Sequence, residues 1–338
     1  MRARIIKKLS PGTQCKIRLA AIALSALLAS TGWAWNFNHN GDFDGDGLMD
    51  PTVYCEATGE WRALLVSNDY EPVYLNWGGP GWTAIQSDYD GDERADLLIY
   101  HRASGAWNVM LSGSGYASAQ LVFGGEGWVV VTGDFDGDRK TDPAIYNEAL
   151  GEWRILLSGA QYKLDTLSFG APGCTAVSGD YDGDGISDPG VYRRADGQWL
   201  IQLSSQSNSL ASLHVDAMGD GPLVPIPFDY DGDGKTDPAL FAYSCDSTIG
   251  KSYVFGWYLT YSSQKHQPIE PFYHVGRADC QPSNADPTPG DYDGDGQGDY
   301  AVTWPDASTW RMWRSSHGLG NDHCVDDWHV TGFRPVQR

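Results

Sequence analysis

One nine-residue pattern occurs six times in this chain and restricts its fold more than any other feature. The pattern is Asp-aromatic-Asp-Gly-Asp-x-x-x-Asp, and its copies begin at Asp42, Asp88, Asp134, Asp180, Asp229 and Asp291. The first three intervals are each 46 residues long, and the last two are 49 and 62. A constant period of about 20–50 residues is typical of propellers and solenoids, which repeat one supersecondary unit.

Aromatic residues repeat in register with the acidic pattern. Five copies have an aromatic residue twelve positions after the first aspartate, and threonine replaces it in the sixth: Tyr54, Tyr100, Tyr146, Tyr192, Phe241 and Thr303. A tryptophan follows after nineteen positions, and a nine-residue insertion delays it in the fifth copy: Trp61, Trp107, Trp153, Trp199, Trp257 and Trp310. Because the tryptophans other than Trp257 begin predicted strands, we expect those five to pack between units rather than to stack on sugars.

The segments between the acidic patterns are short and rich in β-formers. In the third copy, the runs WVVVT, PAIY and WRILL are separated by Gly, Asp and Asn turns, with no helical periodicity. Four strands in about 46 residues match one propeller blade. We therefore predict an all-β fold, a six-bladed β-propeller of four-stranded antiparallel blades. The final segment, 328–338, aligns with the stretch before each acidic pattern, and we expect it to pair with the first blade and close the ring.

The acidic pattern has the composition of a metal loop. Oxygen ligands at alternating positions suit a hard divalent cation with six to eight ligands, which is calcium, whereas magnesium retains more of its waters. Carboxylates occupy positions 1, 3, 5 and 9, and position 7 would contribute a backbone carbonyl. In chain order, these residues are Asp42, Asp44, Asp46, Leu48, Asp50; Asp88, Asp90, Asp92, Arg94, Asp96; Asp134, Asp136, Asp138, Lys140, Asp142; Asp180, Asp182, Asp184, Ile186, Asp188; Asp229, Asp231, Asp233, Lys235, Asp237; and Asp291, Asp293, Asp295, Gln297, Asp299.

The loops are not EF-hands, because position 12 is aliphatic where an EF-hand has a bidentate glutamate. The alternative is a set of acidic turns in which aspartate caps its own backbone, but six copies in register favour up to six calcium ions. Position 6 is glycine in four loops and is Glu93 or Arg139 in the second and third loops. We expect the sites that begin at Asp88 and Asp134 to be the weakest.

The sequence resembles a known repeat family. The strings GDFDGDG, DYDGDGISDPGVYR and DYDGDGKTDPAL, with G-x-W and FG further along, are similar to FG-GAP/VCBS repeats, which also occur in the propellers of integrin α-subunits. The resemblance covers about residues 35–338 and implies calcium in the loops between the first two strands of each blade. It does not imply one function, because such propellers serve adhesion, glycan binding and, in rhamnogalacturonan lyases, catalysis.

Residues 1–34 have the layout of a secretory signal peptide. A basic segment precedes the apolar run LAAIALSALL, and small residues surround a cleavage point after Ala34. This leader has six basic and no acidic residues, so its removal takes the net charge from −21 to −27. We expect a secreted, extracellular or periplasmic monomer with one domain over 35–338. Such a charge disfavours binding to nucleic acid, and no later segment predicts membrane insertion.

Five cysteines remain after the leader. Cys245 lies in the insertion of the fifth copy and Cys280 in its long connection to the sixth. In a propeller both segments lie at the end opposite the calcium loops, so we predict a disulfide between them. Pairing of Cys55 with Cys324 and a free Cys174 are further hypotheses, and two separate thiols remain the alternative for Cys245 and Cys280.

The irregular segment 244–289 is the predicted ligand-binding region, because loops on rigid scaffolds carry binding sites. Its cations and aromatic residues would suit an acidic sugar: Lys251, Trp257, Lys265, His266, His274 and Arg277. We expect a non-catalytic recognition or adhesion module for glycans or a cell-surface protein. No catalytic motif is present, which favours the non-catalytic module. A polysaccharide lyase or hydrolase and a purely structural envelope protein remain alternatives.

Overall fold

The computed structural model describes residues 41–68, 70–216, 223–246, 252–269, 272–276, 285–304, 309–317, 322–325 and 334–335. The predicted leader lies outside these ranges. Apart from short 3-10 turns at Val66–Asn68, Ser204–Gln206 and Ser315–His317, the regular structure described is β. No helix in the described part of the chain has the length and apolar character needed to cross a membrane.

The described strands form six antiparallel sheets. The first is β1 (Thr52–Cys55), β2 (Glu60–Leu65), β3 (Glu71–Asn76) and β25 (Arg334–Pro335); the second is β4 (Trp82–Ser87), β5 (Asp96–His101), β6 (Ala106–Leu111) and β7 (Ala117–Val122); the third is β8 (Val129–Val131), β9 (Ala144–Asn147), β10 (Glu152–Leu157) and β11 (Lys163–Ser168). The fourth is β12 (Cys174–Ala176), β13 (Gly190–Arg193), β14 (Gln198–Leu203) and β15 (Ser209–His214); the fifth is β16 (Leu223–Pro225), β17 (Ala239–Asp246), β18 (Ser252–Tyr261), β19 (Gln267–Pro268) and β20 (Phe272–Gly276); the sixth is β21 (Asp286–Pro287), β22 (Tyr300–Trp304), β23 (Thr309–Trp313) and β24 (Asp322–Val325).

Each sheet has two distinct ends. In the second to sixth sheets the aspartate loop joins the first strand to the second, and in the first sheet it leads into β1. The turn between the third and fourth strands lies at the same end, which we call the loop end. The turn between the second and third strands lies at the opposite end. The connection to the next sheet, such as residues 123–128, is also there, and we call this the connection end.

The repeated tryptophans form the core of the sheets. Tyr100 and Trp107 are directly opposite each other on β5 and β6, and their ring centroids are 5.4 Å apart. The Trp107 indole N–H donates to the Phe123 carbonyl at 2.8 Å, which ties the fourth strand to the third. The prediction that five of these tryptophans are packing residues is confirmed, because all five are buried: Trp61, Trp107, Trp153, Trp199 and Trp310.

Trp257 was predicted to bind a ligand, and this was wrong. Its side chain is 0% exposed and packs edge-on against Phe241 at 4.9 Å and Tyr300 at 5.3 Å. It is the fifth copy of the core tryptophan, displaced in the sequence by the insertion before β18. A ligand therefore has no access to its indole ring.

The first sheet is completed by the far end of the described chain. Strand β25 pairs antiparallel with β1, with Val53 opposite Pro335 and Tyr54 opposite Arg334. Strand β25 therefore takes the place in the first sheet that β4, the first strand, takes beside β5 in the second sheet. The predicted pairing of the C-terminal segment with the first repeat is confirmed, and it removes an open edge from β1.

The cysteine predictions have different outcomes. Cys55 and Cys174 are buried free thiols, so the hypothesis of a Cys55–Cys324 disulfide was wrong, whereas the free Cys174 is confirmed. Cys280 and the side chain of Cys245 lie outside the described residues. The Cys245–Cys280 disulfide therefore stays a prediction.

Candidate metal centre

Three carboxylates converge in five of the aspartate loops, from positions 1, 3 and 9. In five loops they offer oxygen atoms that all lie within 4.8 Å of one another: Asp42, Asp44 and Asp50; Asp88, Asp90 and Asp96; Asp134, Asp136 and Asp142; Asp180, Asp182 and Asp188; and Asp229, Asp231 and Asp237. Groups of this kind are able to hold a metal ion.

The position 1 aspartate shapes the loop around its own side chain. In the second loop, Asp88 Oδ1 accepts the N–H of Gly91 at 2.6 Å, and Asp88 Oδ2 accepts the N–H of Glu93 at 2.9 Å. The Gly91 φ of +80° lies in the left-handed region that glycine adopts without strain. The alternative interpretation, aspartate capping its own backbone, thus describes position 1 correctly.

The position 9 aspartate connects the loop to the turn between the third and fourth strands. Asp96 Oδ2 accepts the N–H of Tyr89 at 2.7 Å, and Asp96 Oδ1 accepts the N–H of Ser112 at 2.6 Å. Burial raises the pKa of this carboxyl to about 6, although the two N–H groups oppose the shift. Burial likewise raises the pKa of its counterparts, to about 7 in Asp50, about 6 in Asp142, about 6 in Asp188, about 8 in Asp237 and about 7 in Asp299.

The position 3 aspartate has an oxygen atom with no protein partner. Asp90 Oδ2 accepts the N–H of Gly113 at 3.1 Å, whereas its Oδ1 is buried and receives no hydrogen bond. In the fifth loop, Asp231 Oδ1 instead accepts the N–H of Asp233 at 3.2 Å. A buried carboxylate oxygen without a donor is costly, and a cation beside it would remove that cost. The same unpaired Oδ1 occurs in five loops: Asp44, Asp90, Asp136, Asp182 and Asp293.

Position 5 does not join the three-carboxylate groups described above. Asp92 Oδ1 accepts the N–H of Arg94 at 3.0 Å and the hydroxyl of Ser112 at 2.8 Å, so the loop itself satisfies this atom. The predicted ligand set of positions 1, 3, 5 and 9 is thus met at three positions in these groups. The position 7 carbonyls stay predicted ligands. The aspartates outside the groups are Asp46, Asp92, Asp138, Asp184 and Asp233.

A set of serines supports the loops and was missed in the sequence. Ser158 donates its N–H to Asp142 Oδ1 at 2.6 Å and its hydroxyl to Asp138 Oδ2 at 2.9 Å. Ser315 makes the corresponding pair of bonds to Asp299 and Asp295, both at 2.8 Å. The signal was available, because four copies have serine twenty-four positions after the first aspartate: Ser112, Ser158, Ser204 and Ser315.

The second and third loops keep the geometry of the others. Glu93 and Arg139 both adopt φ +67°, in the left-handed region where the first loop has Gly47 at φ +86°. The Arg139 N–H still donates to Asp134 Oδ2 at 2.7 Å. Any weakness of these two sites would therefore come from strain at a non-glycine residue, not from an altered loop.

Neighbouring loops are hydrogen-bonded into a ring. In every case the position 8 N–H donates to the position 1 carbonyl of the preceding loop, at 2.6–3.0 Å. The last bond, from Met49 to Asp291, joins the first loop to the sixth. The six donor and acceptor pairs are Ala95–Asp42, Thr141–Asp88, Ser187–Asp134, Thr236–Asp180, Gly298–Asp229 and Met49–Asp291.

Side chains follow the same ring. The position 7 residue lies over the position 4 glycine of the preceding loop, so closely that a Cβ on Gly183 would be 2.9 Å from Lys235 Cε. Leu48 makes this contact with Gly294, across the junction of the first and sixth loops. Each loop is therefore packed against its neighbour.

Two predicted ligand-binding residues lie at the loop end of the fifth sheet. Lys265 and His266 belong to the turn between β18 and β19, whose Ser262 N–H donates to Asp237 Oδ1 at 2.6 Å. They are thus beside the fifth aspartate loop. Burial, with Lys235 nearby, lowers the pKa of His266, and its Nδ1 is buried without a hydrogen bond. Lys251, Arg277 and the side chain of His274 lie outside the described residues.

In metal-free buffer, the folded protein is expected to lose stability as the pH rises from about 4 to about 8. The position 9 carboxyls have folded pKa values of about 6–8, above the ordinary value of 3.8. The folded state therefore binds more protons, and its advantage disappears as the pH passes through the raised pKa values. Urea denaturation at pH 5 and pH 8 would measure this change, and greater stability at pH 8 would contradict the expectation.

Comparison with known proteins supports the fold. No protein-family model matches the chain, and no curated protein matches its sequence. A solved structure of an Agrocybe aegerita lectin, described as recognising non-reducing terminal N-acetylglucosamine, is similar, with a TM-score of 0.52 and 12% identity over 86% of this chain and 92% of the lectin. An auxiliary nutrient-binding protein from Bacteroides thetaiotaomicron has a TM-score of 0.44 and 9% identity, over 79% of this chain and 71% of that protein.

These similarities concern architecture. The neighbours are β-propeller-like proteins, and the described part of this chain is all-β with repeated four-stranded antiparallel sheets. An identity of 12% establishes no common function.

Proposed function

We propose that this protein is a secreted six-bladed β-propeller whose aspartate loops hold structural calcium, and that it is a non-catalytic module that recognises glycans or a surface protein. The observation that carries the calcium assignment is the buried Oδ1 of position 3, which has no protein donor in five loops. It lies beside two further carboxylates, and a hard cation with several oxygen ligands suits that surrounding.

Binding is favoured over hydrolysis by the distribution of acidic groups. A glycoside hydrolase needs a carboxylic acid with a raised pKa outside any structural metal site. Within the described residues, all aspartates with a raised pKa belong to the aspartate loops. The Agrocybe aegerita lectin, of similar fold, offers a precedent for glycan recognition.

Affinity electrophoresis tests this function. The protein would be run through gels containing a neutral galactomannan or polygalacturonate, with calcium, and the gels would be stained for cleared polysaccharide. We expect retardation without clearing. Clearing would identify an enzyme instead. If the gels show no retardation and no clearing, recognition of these glycans is excluded, and a protein partner becomes the candidate ligand.

A further inference from the structure

An open cleft of about 480 Å³ lies between the second and third sheets. It is at the connection end, away from the aspartate loops. The turn after β5 contributes Arg102, the connection before β8 contributes Glu126, Gly127 and Trp128, and the turn after β9 contributes Glu148. The predicted ligand-binding region in the fifth repeat is not part of it.

The cleft differs from its counterparts in the neighbouring repeats because one of its backbone N–H groups lacks a side-chain acceptor. In the preceding connection, the Gly81 N–H donates to Glu56 Oε1 at 2.8 Å, and in the following one, the Gly173 N–H donates to Glu148 Oε1 at 3.0 Å. The corresponding pair here is Gly127 and Arg102, with the same spacing of 25 residues. A guanidinium accepts no hydrogen bond, so the Gly127 N–H is left for another acceptor.

A second substitution adds an acceptor at the same place. Pro80 and Pro172 stand in the neighbouring connections where this one has Glu126, and the side chain of Glu126 is exposed. Arg102 and Glu148 are half-buried on the other walls. The cleft thus combines donors on Arg102 and Gly127 with acceptors on Glu126 and Glu148.

The floor of the cleft is apolar and fixed in place. Trp128 is 9% exposed, and the Arg154 guanidinium lies 4.5 Å from its ring centroid. Arg154 is in turn paired with Glu152 at 2.7 Å. A small aromatic surface with a few polar groups around it suits a ligand that has both C–H and O–H faces.

The charge of the cleft restricts the ligand further. Two carboxylates and one guanidinium line the cleft, in a chain whose net charge is −21. A uronate would meet net repulsion here, whereas the hydroxyls of a neutral sugar donate to carboxylates and accept from Arg102 and Gly127.

We propose that this cleft binds one residue of a neutral saccharide, with Arg102, the Gly127 N–H, Glu126 and Glu148 holding its hydroxyls over Trp128. The proposal rests on glycan recognition as the proposed function and names both the site and the sugar class. It replaces the acidic sugar expected from the cations of the fifth repeat.

Titration calorimetry with glucose, galactose, mannose, N-acetylglucosamine and galacturonate tests the proposal. Galactose and galacturonate form the decisive pair if galactose binds, because they differ only at C6. Two variants take their residues from the neighbouring repeats. Arg102→Glu supplies the missing acceptor for the Gly127 N–H, and Glu126→Pro restores the proline of the other connections. Each is expected to weaken binding of a neutral sugar about tenfold, and Pro80→Ala, in the preceding connection, is expected to leave it unchanged.

The outcomes separate the site from the function. Retained sugar binding by both variants, with unchanged melting temperatures, would overturn this cleft as the site while glycan recognition stands. Galacturonate binding tighter than its neutral counterpart would overturn the assigned sugar class. Failure of the unmodified protein to bind any of these sugars, and to be retarded by galactomannan, would overturn glycan recognition and the cleft together.

Discussion

Chelation of divalent cations is expected to lower the melting temperature of this protein by more than about 10 °C, and added calcium should restore it. One ion present at a hundred times its dissociation constant stabilises a folded state by about 2.7 kcal/mol. Two such ions would contribute about 5 kcal/mol, which is already as large as the whole stability of some domains, and about 10–20 °C for a chain of this size. Scanning calorimetry with EDTA and with calcium provides the measurement.

Matched variants within one loop would show which carboxylates bind the ion. Asp182 carries the unpaired Oδ1 of the fourth loop, whereas the position 5 aspartate, Asp184, accepts the N–H of Ile186 at 2.9 Å. Asp182→Asn should remove one bound calcium per molecule, and Asp184→Asn should leave the stoichiometry unchanged. An unchanged melt on chelation would refute structural calcium, and equal loss from both variants would restore the four-carboxylate site.

Deletion of residues 326–338 is expected to destabilise the protein and to make it self-associate. The deletion removes β25 and leaves one edge of β1 unpaired, beside Val53 and Tyr54. The lost ladder bonds and burial are worth about 3 kcal/mol, or about 6–12 °C in melting temperature. An unpaired strand edge also favours association with another chain. Calorimetry and light scattering would measure the two effects.

A peptide of residues 326–338 provides the control for the truncation. Added in excess, it should bind as a strand, raise the melting temperature of the truncated chain and reduce its self-association. A truncated protein that melts like the full chain and stays monomeric would show that the pairing of β25 with β1 contributes little to stability.

The repeated features of this protein could be predicted from the sequence because each pattern occurs several times in it. The spacing from Tyr100 to Trp107 recurs, and the structure places the two residues opposite each other on paired strands. The three converging aspartates and the β25 pairing were accessible for the same reason. The serines at the loops recur as regularly, and they were missed because serine is too common in turns to be noticed without the partner carboxylates.

Features that depend on a single repeat differing from the others were harder to predict. The insertion before β18 made Trp257 look irregular, although it is the core tryptophan of its sheet. The cations Lys265 and His266 were assigned to the irregular segment, whereas they belong to the turn between β18 and β19, the counterpart of the turn between the third and fourth strands in the other sheets. The cleft depends on Arg102, which replaces a glutamate whose hydrogen bond to a glycine N–H is visible only in the structure, and on Glu126, which replaces a proline.

The ring of contacts between aspartate loops means that the unit repeated in the sequence is not an independent part of the molecule. Each loop receives a hydrogen bond and a covering side chain from the repeat that follows it, and the sixth receives both from the first. A fragment cut at repeat boundaries would leave its last loop uncovered, however intact its own 46 residues. A repeat transplanted singly between such proteins must therefore fit the position 7 side chain of the loop that follows it, whereas the position 8 backbone N–H is supplied by any residue except proline.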